Sequence, residues 1–278
     1  MFKDQTSFIS AGEGKSAAGV PMNLKAIGVG LMLAVFPWFA SAQTSAAASY
    51  FHLVEAKAGC QRLAKLHVQR QVVKADDWVG KNLSRTVSDL ERIASLAPEW
   101  SKHVKRPDLA NKLVADIKGL NAIVATPAAS EAALVDALAL ADRCTADAED
   151  ALNAVQGAGA GGRAVTLAGK ALYLSQRLTR DWMLMQADTK FKGITQQIVE
   201  KERDQLAAVL QQLATLPTTA ATRASLDLAQ NQWTMLRPML AGKATPEKED
   251  QVGRISERLY EALNESFEQI QKAVLAML

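Results

Sequence analysis

Two short stretches place polar side chains suited to anion binding inside apolar segments: "AGCQRLAKLHVQRQV" (58–72) and "AGKALYLSQRLTRDWMLMQ" (168–186). A guanidinium group can donate two parallel hydrogen bonds to a planar oxyanion such as a carboxylate or nitrate. Arg62 is therefore the first candidate ligand of a small anion. The accessory candidates, which would add hydrogen-bond donors, are Gln61, Lys65, Ser175, Gln176 and Arg177.

Each stretch opens with an Ala-Gly pair. A glycine inside a helix costs roughly 1 kcal/mol relative to Ala, so Gly59 and Gly169 predict that another helix packs closely at both points. A second interpretation of the arginines stays open. Arg62 and Arg177 could be solvated surface residues, or could bond carbonyl or carboxylate groups of neighbouring helices.

Other chemistries find little support in the sequence. The net charge is +3 and the basic residues are scattered, which argues against nucleic acid as a partner. No two of the three histidines have a metal-ligand spacing, and dinucleotide, P-loop, serine-hydrolase and zinc-protease motifs are absent. No nucleophile has a base and an orienting residue at a suitable spacing. We therefore expect no catalytic residues, no bound metal and no cofactor.

The segment "MNLKAIGVGLMLAVFPWFASAQ" (22–43) contains a basic residue, an apolar run and Ala-Ser-Ala before Gln43. This pattern is typical of a secretory signal peptide with a small-x-small cleavage site, an uncleaved anchor being the alternative. We therefore expect residues 1–42 to be a signal peptide, with Met22 as the true start, and the mature chain to be periplasmic. No later run reaches the roughly 20 apolar residues that a membrane span needs, so we expect no span in the mature chain.

From residue 44 onward, apolar residues recur at three- and four-residue spacing, which predicts helices throughout. The low aromatic content of 5% also favours helices over strands. In two "ATP" segments, Thr126 and Thr245 can cap helices whose first residue is proline. The predicted helices are 46–75, 82–97, 107–124, 127–156, 163–188, 191–216, 219–241 and 246–277.

These eight helices fall into two similar sets of four. The Ala-Gly pairs are 110 residues apart and the "ATP" caps are 119 apart, while "SLAPEW" (95–100) and "TLPTTA" (215–220) end corresponding second helices. Such self-similarity indicates tandem duplication. The predicted fold class is all-α, with two tandem antiparallel four-helix bundle modules, 43–157 and 158–278, after the signal peptide.

The motif "AGKALYLSQRL" resembles the first helix of the PilJ-type sensory domain, the N-terminal domain of type IV pili methyl-accepting chemotaxis transducers, which is related to nitrate/nitrite sensor input domains. The family motif reads approximately A-G-x-Q-R-x-x-S-Q-R. Aligned on Ala-Gly, the first stretch keeps Gln-Arg at 61–62 but has Lys-Leu-His at 65–67. The second stretch keeps Ser-Gln-Arg at 175–177 but has Ala-Leu at 171–172.

The resemblance implies a function. Family members are usually transmembrane receptors that dimerise through these first helices, and in the nitrate-sensing relatives the arginine matching Arg62 binds the anion at the subunit interface. It implies an exported sensory protein that binds nitrate, nitrite or a small carboxylate, with a homodimer as a candidate state and a membrane receptor or sensor kinase as partner. Because the chain has no kinase or methyl-accepting region, the alternative is a protein-interaction module that binds no ligand, in type IV pilus, chemosensory or envelope function.

The two modules can be arranged in two ways. The helix that carries Arg62 can lie beside the helix that carries Arg177, or the modules can stack end to end through a nearly continuous helix across 150–190. We favour the end-to-end arrangement.

The two cysteines lie on inward-facing stripes near the middle of their helices. Cys60 belongs to the first helix of the first module and Cys144 to its fourth, which should be antiparallel neighbours. In an exported protein they are candidates for a disulfide bond, two buried free thiols being the alternative.

Overall fold

The computed structural model describes residues 36–72, 77–126, 130–155, 162–187 and 193–278. This part of the chain is 89% helical and contains no strand, so the predicted all-α class is confirmed. Its helices are α1 (Phe36–Val72), α2 (Asp77–Ser95), α3 (Ala97–Trp100), α4 (Pro107–Ala125), α5 (Glu131–Ala154), α6 (Gly162–Gln186), α7 (Gln196–Ala214), α8 (Ala220–Met239) and α9 (Pro246–Met277).

The long helices lie close to the predicted ones, and the clearest differences are at helix starts. Helix α1 begins at Phe36 rather than at residue 46. Helix α9 begins as predicted, because Thr245 Oγ1 accepts a hydrogen bond from the backbone N of Lys248 at 3.3 Å and Pro246 is the first helical residue.

The first "ATP" segment does not start a helix in this way. Thr126 directly follows the last residue of α4 and is its C-cap. Ser130 caps α5 instead, and its hydroxyl accepts from the backbone N of Ala133 at 3.2 Å. The expectation that Thr126 caps a helix is wrong because Ser130 offers a capping hydroxyl directly before the helix begins.

Helix α1 is enclosed by protein along its middle. Residues 58–69 are all buried, so this part of the helix has no solvent-facing side. A helix that is buried all round must pair its polar side chains inside the protein. The polar residues of the first stretch therefore face protein groups rather than water.

The helices pack mainly as antiparallel neighbours. Helix α6 contacts α7 and α9, and α8 contacts the same two helices. Helix α4 packs closely against α5 and less closely against α2. Helix α1 approaches α2 at Gly59, where an added Cβ would lie 2.9 Å from the Leu90 side chain.

Helices α1 and α6 lie side by side and run in the same direction. Tyr50 Oη lies 3.3 Å from Thr166 Oγ1, and further along both helices Val54 contacts Gly169. A Cβ at Gly169 would overlap the Val54 side chain, so glycine permits this close approach. The end-to-end arrangement that we favoured is therefore wrong, since the two first helices are neighbours.

A disulfide bond joins α1 to α5. Cys60 and Cys144 are bonded, with their Cα atoms 6.4 Å apart, and the bond spans 84 residues of sequence. The Cα separation lies within the range usual for disulfides. The bond fixes the middle of α1 against the middle of α5.

Phe39–Leu278 forms one compact unit. The predicted module boundary at 157–158 lies outside the described residues, as do Met22 and most of the predicted signal peptide. Among the helices that the structure describes, none combines the length and the apolar character needed to cross a membrane.

Candidate functional site

Several candidate residues converge where α1, α6 and α9 meet. Helix α9 presents small residues there, Gly253 and Ser256, both buried. An added Cβ at Gly253 would overlap the side-chain amide of Gln69, so the α9 backbone lies close to α1. One turn after Gly253, Glu257 adds a carboxylate that is 3% exposed.

Arg62 bonds this internal carboxylate. Its Nε and Nη2 donate to Oε2 of Glu257 at 3.1 and 2.8 Å, and Nη2 also donates to Oδ1 of Asn82 at 3.2 Å. The guanidinium carbon lies 4.4 Å from the centre of the Tyr260 ring. Hydrogen bonds and ring stacking together hold the guanidinium in place. Of the two interpretations of Arg62, this geometry matches a bond to a neighbouring helix.

Lys65 provides the second cation beside Glu257. Its Nζ donates to Oε1 of Glu257 at 3.0 Å and to the carbonyl of Gly253 at 3.3 Å. The residue is fully buried. Each oxygen of the carboxylate therefore faces one cation, and the group of three carries two positive charges and one negative charge.

The three charges shift one another's pKa. Burial alone would raise the pKa of Glu257, but Lys65 and Arg62 lower it below its ordinary value. Burial lowers the pKa of Lys65, which Glu257 opposes only in part. Burial alone would lower the pKa of Arg62, but the charge of Glu257, the hydrogen bond to it and the nearby Tyr260 and Glu261 together raise this pKa above its ordinary value. Glu257 is therefore held as an ionised carboxylate between two cations.

Gln61 belongs to a second buried network. Its Nε2 donates to Thr145 Oγ1 at 2.8 Å and to Asp142 Oδ1 at 3.1 Å. Its Oε1 accepts from Nη1 of Arg180 at 2.7 Å. Arg180 is 3% exposed and also donates to Asp142 at 2.8 Å and to Asp181 at 2.7 Å. This network connects α1, α5 and α6.

Arg177 lies at the edge of the second network, with 37% of its side chain exposed. Its Nε is 2.7 Å from Glu202 Oε1 and 3.7 Å from Asp181 Oδ2, and its Nη1 bonds the Tyr173 hydroxyl. Burial, and after it the negative charge of Asp181, raises the pKa of Glu202 to about 7. Together with Asp142, three carboxylates here face two guanidinium groups.

The remaining candidates make weaker contacts. Ser175 Oγ donates to the carbonyl of Leu172 in its own helix at 2.8 Å. Gln176 Nε2 donates to the carbonyl of Ser256 at 3.4 Å and so reaches α9. Three of the candidates therefore bond groups of α9, namely Arg62, Lys65 and Gln176. Two others, Gln61 and Arg177, belong to the second network.

The ion pairs of the two networks correspond at a spacing of 115 residues. Lys65 and Arg180 are 115 apart, and so are their carboxylate partners Glu257 and Asp142. In the first pair, α1 supplies the cation and α9 the carboxylate. In the second pair, α6 supplies the cation and α5 the carboxylate.

The same spacing relates other contacts. Gln61 donates to the carbonyl of Ala141, and Gln176 donates to the carbonyl of Ser256. The two donors are 115 residues apart, and so are the two acceptors. Val54 and Gly169, which touch each other, have this spacing too. Alignment on the Ala-Gly pairs, at 110, is therefore wrong as a structural register. In the register of the contacts, the Gln-Arg pair at 61–62 corresponds to the one at 176–177.

Comparisons with known proteins give no match. No protein-family model matches the chain, and neither the curated proteins nor the solved structures contain a match to it. The resemblance to the PilJ-type family stays a prediction that rests on the motif.

Sequence reasoning missed the acidic half of both networks. Glu257 follows Gly253 and Ser256, and such small residues in a helix are a signal of close packing around a polar group. It also missed the basic residue Arg180, which was detectable because it lies four residues after Gln176 and shares its helix face. Within the described ranges, no cluster of His, Cys, Asp or Glu could hold a metal ion.

Proposed function

We propose that the chain consists of two copies of one four-helix module, 43–157 and 158–278, which pack as the subunits of a parallel dimer would. In a two-fold dimer, residues near the axis meet their own counterparts. Val54 and Gly169 meet in this way. In each of the two corresponding ion pairs, one half of the chain supplies the cation and the other half supplies the carboxylate. This supports the PilJ-type resemblance, since that family dimerises through its first helices.

The function that we propose is a periplasmic, non-enzymatic sensory or interaction module that acts through a protein partner, such as a membrane receptor, a sensor kinase or an envelope component. The observation that carries it is the contact of Glu257 with both Arg62 and Lys65. An external anion at Arg62 would have to displace a carboxylate that two cations already hold. The disulfide supports an exported location, because such bonds persist in oxidising compartments.

A second candidate is a receptor for nitrate, nitrite or a small carboxylate. It is favoured by the charge count at Glu257, where two buried cations face one carboxylate. The unbalanced positive charge in a buried position would attract a monovalent anion.

Titration of the wild-type chain separates the two candidates, and removal of the internal carboxylate tests whether Glu257 occupies the anion position. Isothermal titration of the wild-type chain with nitrate, nitrite and acetate should show no binding at millimolar concentration. The variant Glu257→Ala should lose stability and regain part of it in nitrate, formate or acetate, since a small planar anion fits the vacated space and stabilises the folded state by mass action. Glu257→Gln is the matched control, because it removes the charge but leaves no room.

Two outcomes would redirect the proposal. Nitrate binding by the wild-type chain that is lost in Arg62→Gln would establish the anion receptor. A chain that yields no crosslinked protein partner in living cells would contradict the interaction module. Export is tested separately, since protein recovered from the periplasm should begin at Gln43.

A further inference from the structure

A groove lies between α2 and α4, away from the two ionic networks, with a volume of about 550 Å³. It exists because α2 and α4 pack less closely than α4 and α5. Three of its lining residues, Ala94, Ala122 and Ala125, have side chains too small to fill the space between the helices. The volume is within the range of roughly 300–1,000 Å³ that is typical of small-molecule sites.

Asn121 lines this groove with an unused carboxamide. The residue is 7% exposed, and neither its side-chain nitrogen nor its oxygen has a hydrogen-bond partner among the described residues. Most buried polar side chains are hydrogen-bonded, so an orphaned donor and acceptor on one residue call for an explanation. Both atoms are shielded from water in the structure, so an occupant reaches the carboxamide only after a side-chain rotation, and the last side-chain torsion of Asn is broad.

The charges at the groove indicate a neutral occupant. Helix α2 contributes Glu91 and α4 contributes Lys118, one charge of each sign, and the other lining groups are neutral. Val87 and Ile117 add apolar surface. An occupant with an apolar body would bury this surface, and its polar group would pair with Asn121.

We infer that the groove between α2 and α4 binds a small neutral organic molecule with an apolar body and a planar amide edge. A carboxamide or lactam donates and accepts side by side, as the Asn121 side chain does, so the two groups form a reciprocal pair. This site does not depend on Arg62 or on the identity of a protein partner. It would give the proposed module an input that is separate from the buried ions.

Three aromatic probes of similar size test the inference. Benzamide carries both a donor and an acceptor, acetophenone carries an acceptor alone, and benzoate carries a negative charge. In ¹H–¹⁵N spectra of the labelled chain, benzamide should cause saturable shifts confined to α2 and α4. Its affinity should exceed that of acetophenone by about tenfold, the worth of one additional satisfied hydrogen bond.

Two variants and a control locate the site. Asn121→Leu should remain folded and bind benzamide and acetophenone equally, because the polar pairing is lost. Ala122→Phe should abolish binding of benzamide and acetophenone by filling the groove, whereas Ala146→Phe, at an exposed position of α5, should bind as the wild type does. Shifts that do not saturate, that map elsewhere, or that keep their preference for benzamide in Asn121→Leu would overturn the inference.

Discussion

The pair of carboxylates between α6 and α7 makes the stability of the fold sensitive to pH. Glu202 is buried, and Asp181 adds a second negative charge beside it. Burial first, and then the charge of Asp181, raises the pKa of Glu202 from 4.5 to about 7. Arg177, whose Nε lies 2.7 Å from Glu202 Oε1, offsets these effects only in part.

The direction of the effect follows from proton linkage. The folded chain binds the Glu202 proton more tightly than the unfolded chain does, because the folded pKa is the higher one. Between pH 4.5 and about 7 the unfolded chain has released a proton that the folded chain keeps. Stability from this group is therefore fully present below pH 4.5 and falls as the pH rises to about 7. At 1.36 kcal/mol per pKa unit, the loss is at most about 3 kcal/mol.

The variant Glu202→Gln removes this titration. The free energy of unfolding should be measured in urea for variant and wild type at pH 5, 6, 7 and 8. The variant should gain on the wild type by roughly 2–3 kcal/mol across this range. Any loss of the Arg177 contact adds a constant offset, so the change of the difference with pH isolates the titration.

Glu200→Gln is the control, since Glu200 is an exposed carboxylate on the same helix. This variant removes a negative charge from α7 and leaves the buried pair of Asp181 and Glu202 unchanged. If the Glu202→Gln difference stays flat from pH 5 to 8, or falls, Glu202 does not titrate as its burial demands and the reasoning is refuted.

Three further predictions concern other parts of the fold. Reduction of the disulfide, which closes a loop of 84 residues, should lower the free energy of unfolding by about 4.5 kcal/mol in urea titrations, and an unchanged value would contradict the loop-closure account. The double variant Val54→Cys/Gly169→Cys should form a disulfide that crosslinks α1 to α6, because Val54 Cβ lies 3.6 Å from the Cβ position at 169. The control Val54→Cys/Lys170→Cys should not crosslink, and equal yields from the two variants would count against the parallel pairing. Burial and then the charge of Arg70 lower the pKa of His67 to about 4, so stability falls as the pH drops from 6.5 to 4, and His67→Gln should flatten this acid limb.

Periodicity predicted the helices well because it reports which residues face an apolar core. The seven long helices after α1 begin and end within about five residues of the predicted positions, and the short α3 was not predicted. Periodicity said less about α1, because a segment that is buried from 58 to 69 has no polar face to break the pattern. For the same reason, the spacing of residues in α1 does not distinguish a buried Arg62 from one at the surface.

The relation between the two halves was harder to derive. The Ala-Gly pairs suggested a spacing of 110, whereas the contacts follow 115. Glycine has no fixed role in the pairing: Gly59 accommodates Leu90, and Gly169 accommodates Val54. Sequence similarity between two glycines therefore does not establish that they are structurally equivalent, and only the contacts resolve the register.

The charges of both networks together explain why Glu257 holds its place. The first network has an excess of one positive charge, and the second, with Glu202 ionised, an excess of one negative charge. The two networks meet on α1, at Gln61 and Arg62, so their opposite excess charges offset each other in part, since the side chains of Asp142 and Arg177 are partly exposed to solvent. An added anion would disturb this balance in a region of low dielectric, where uncompensated charge is costly.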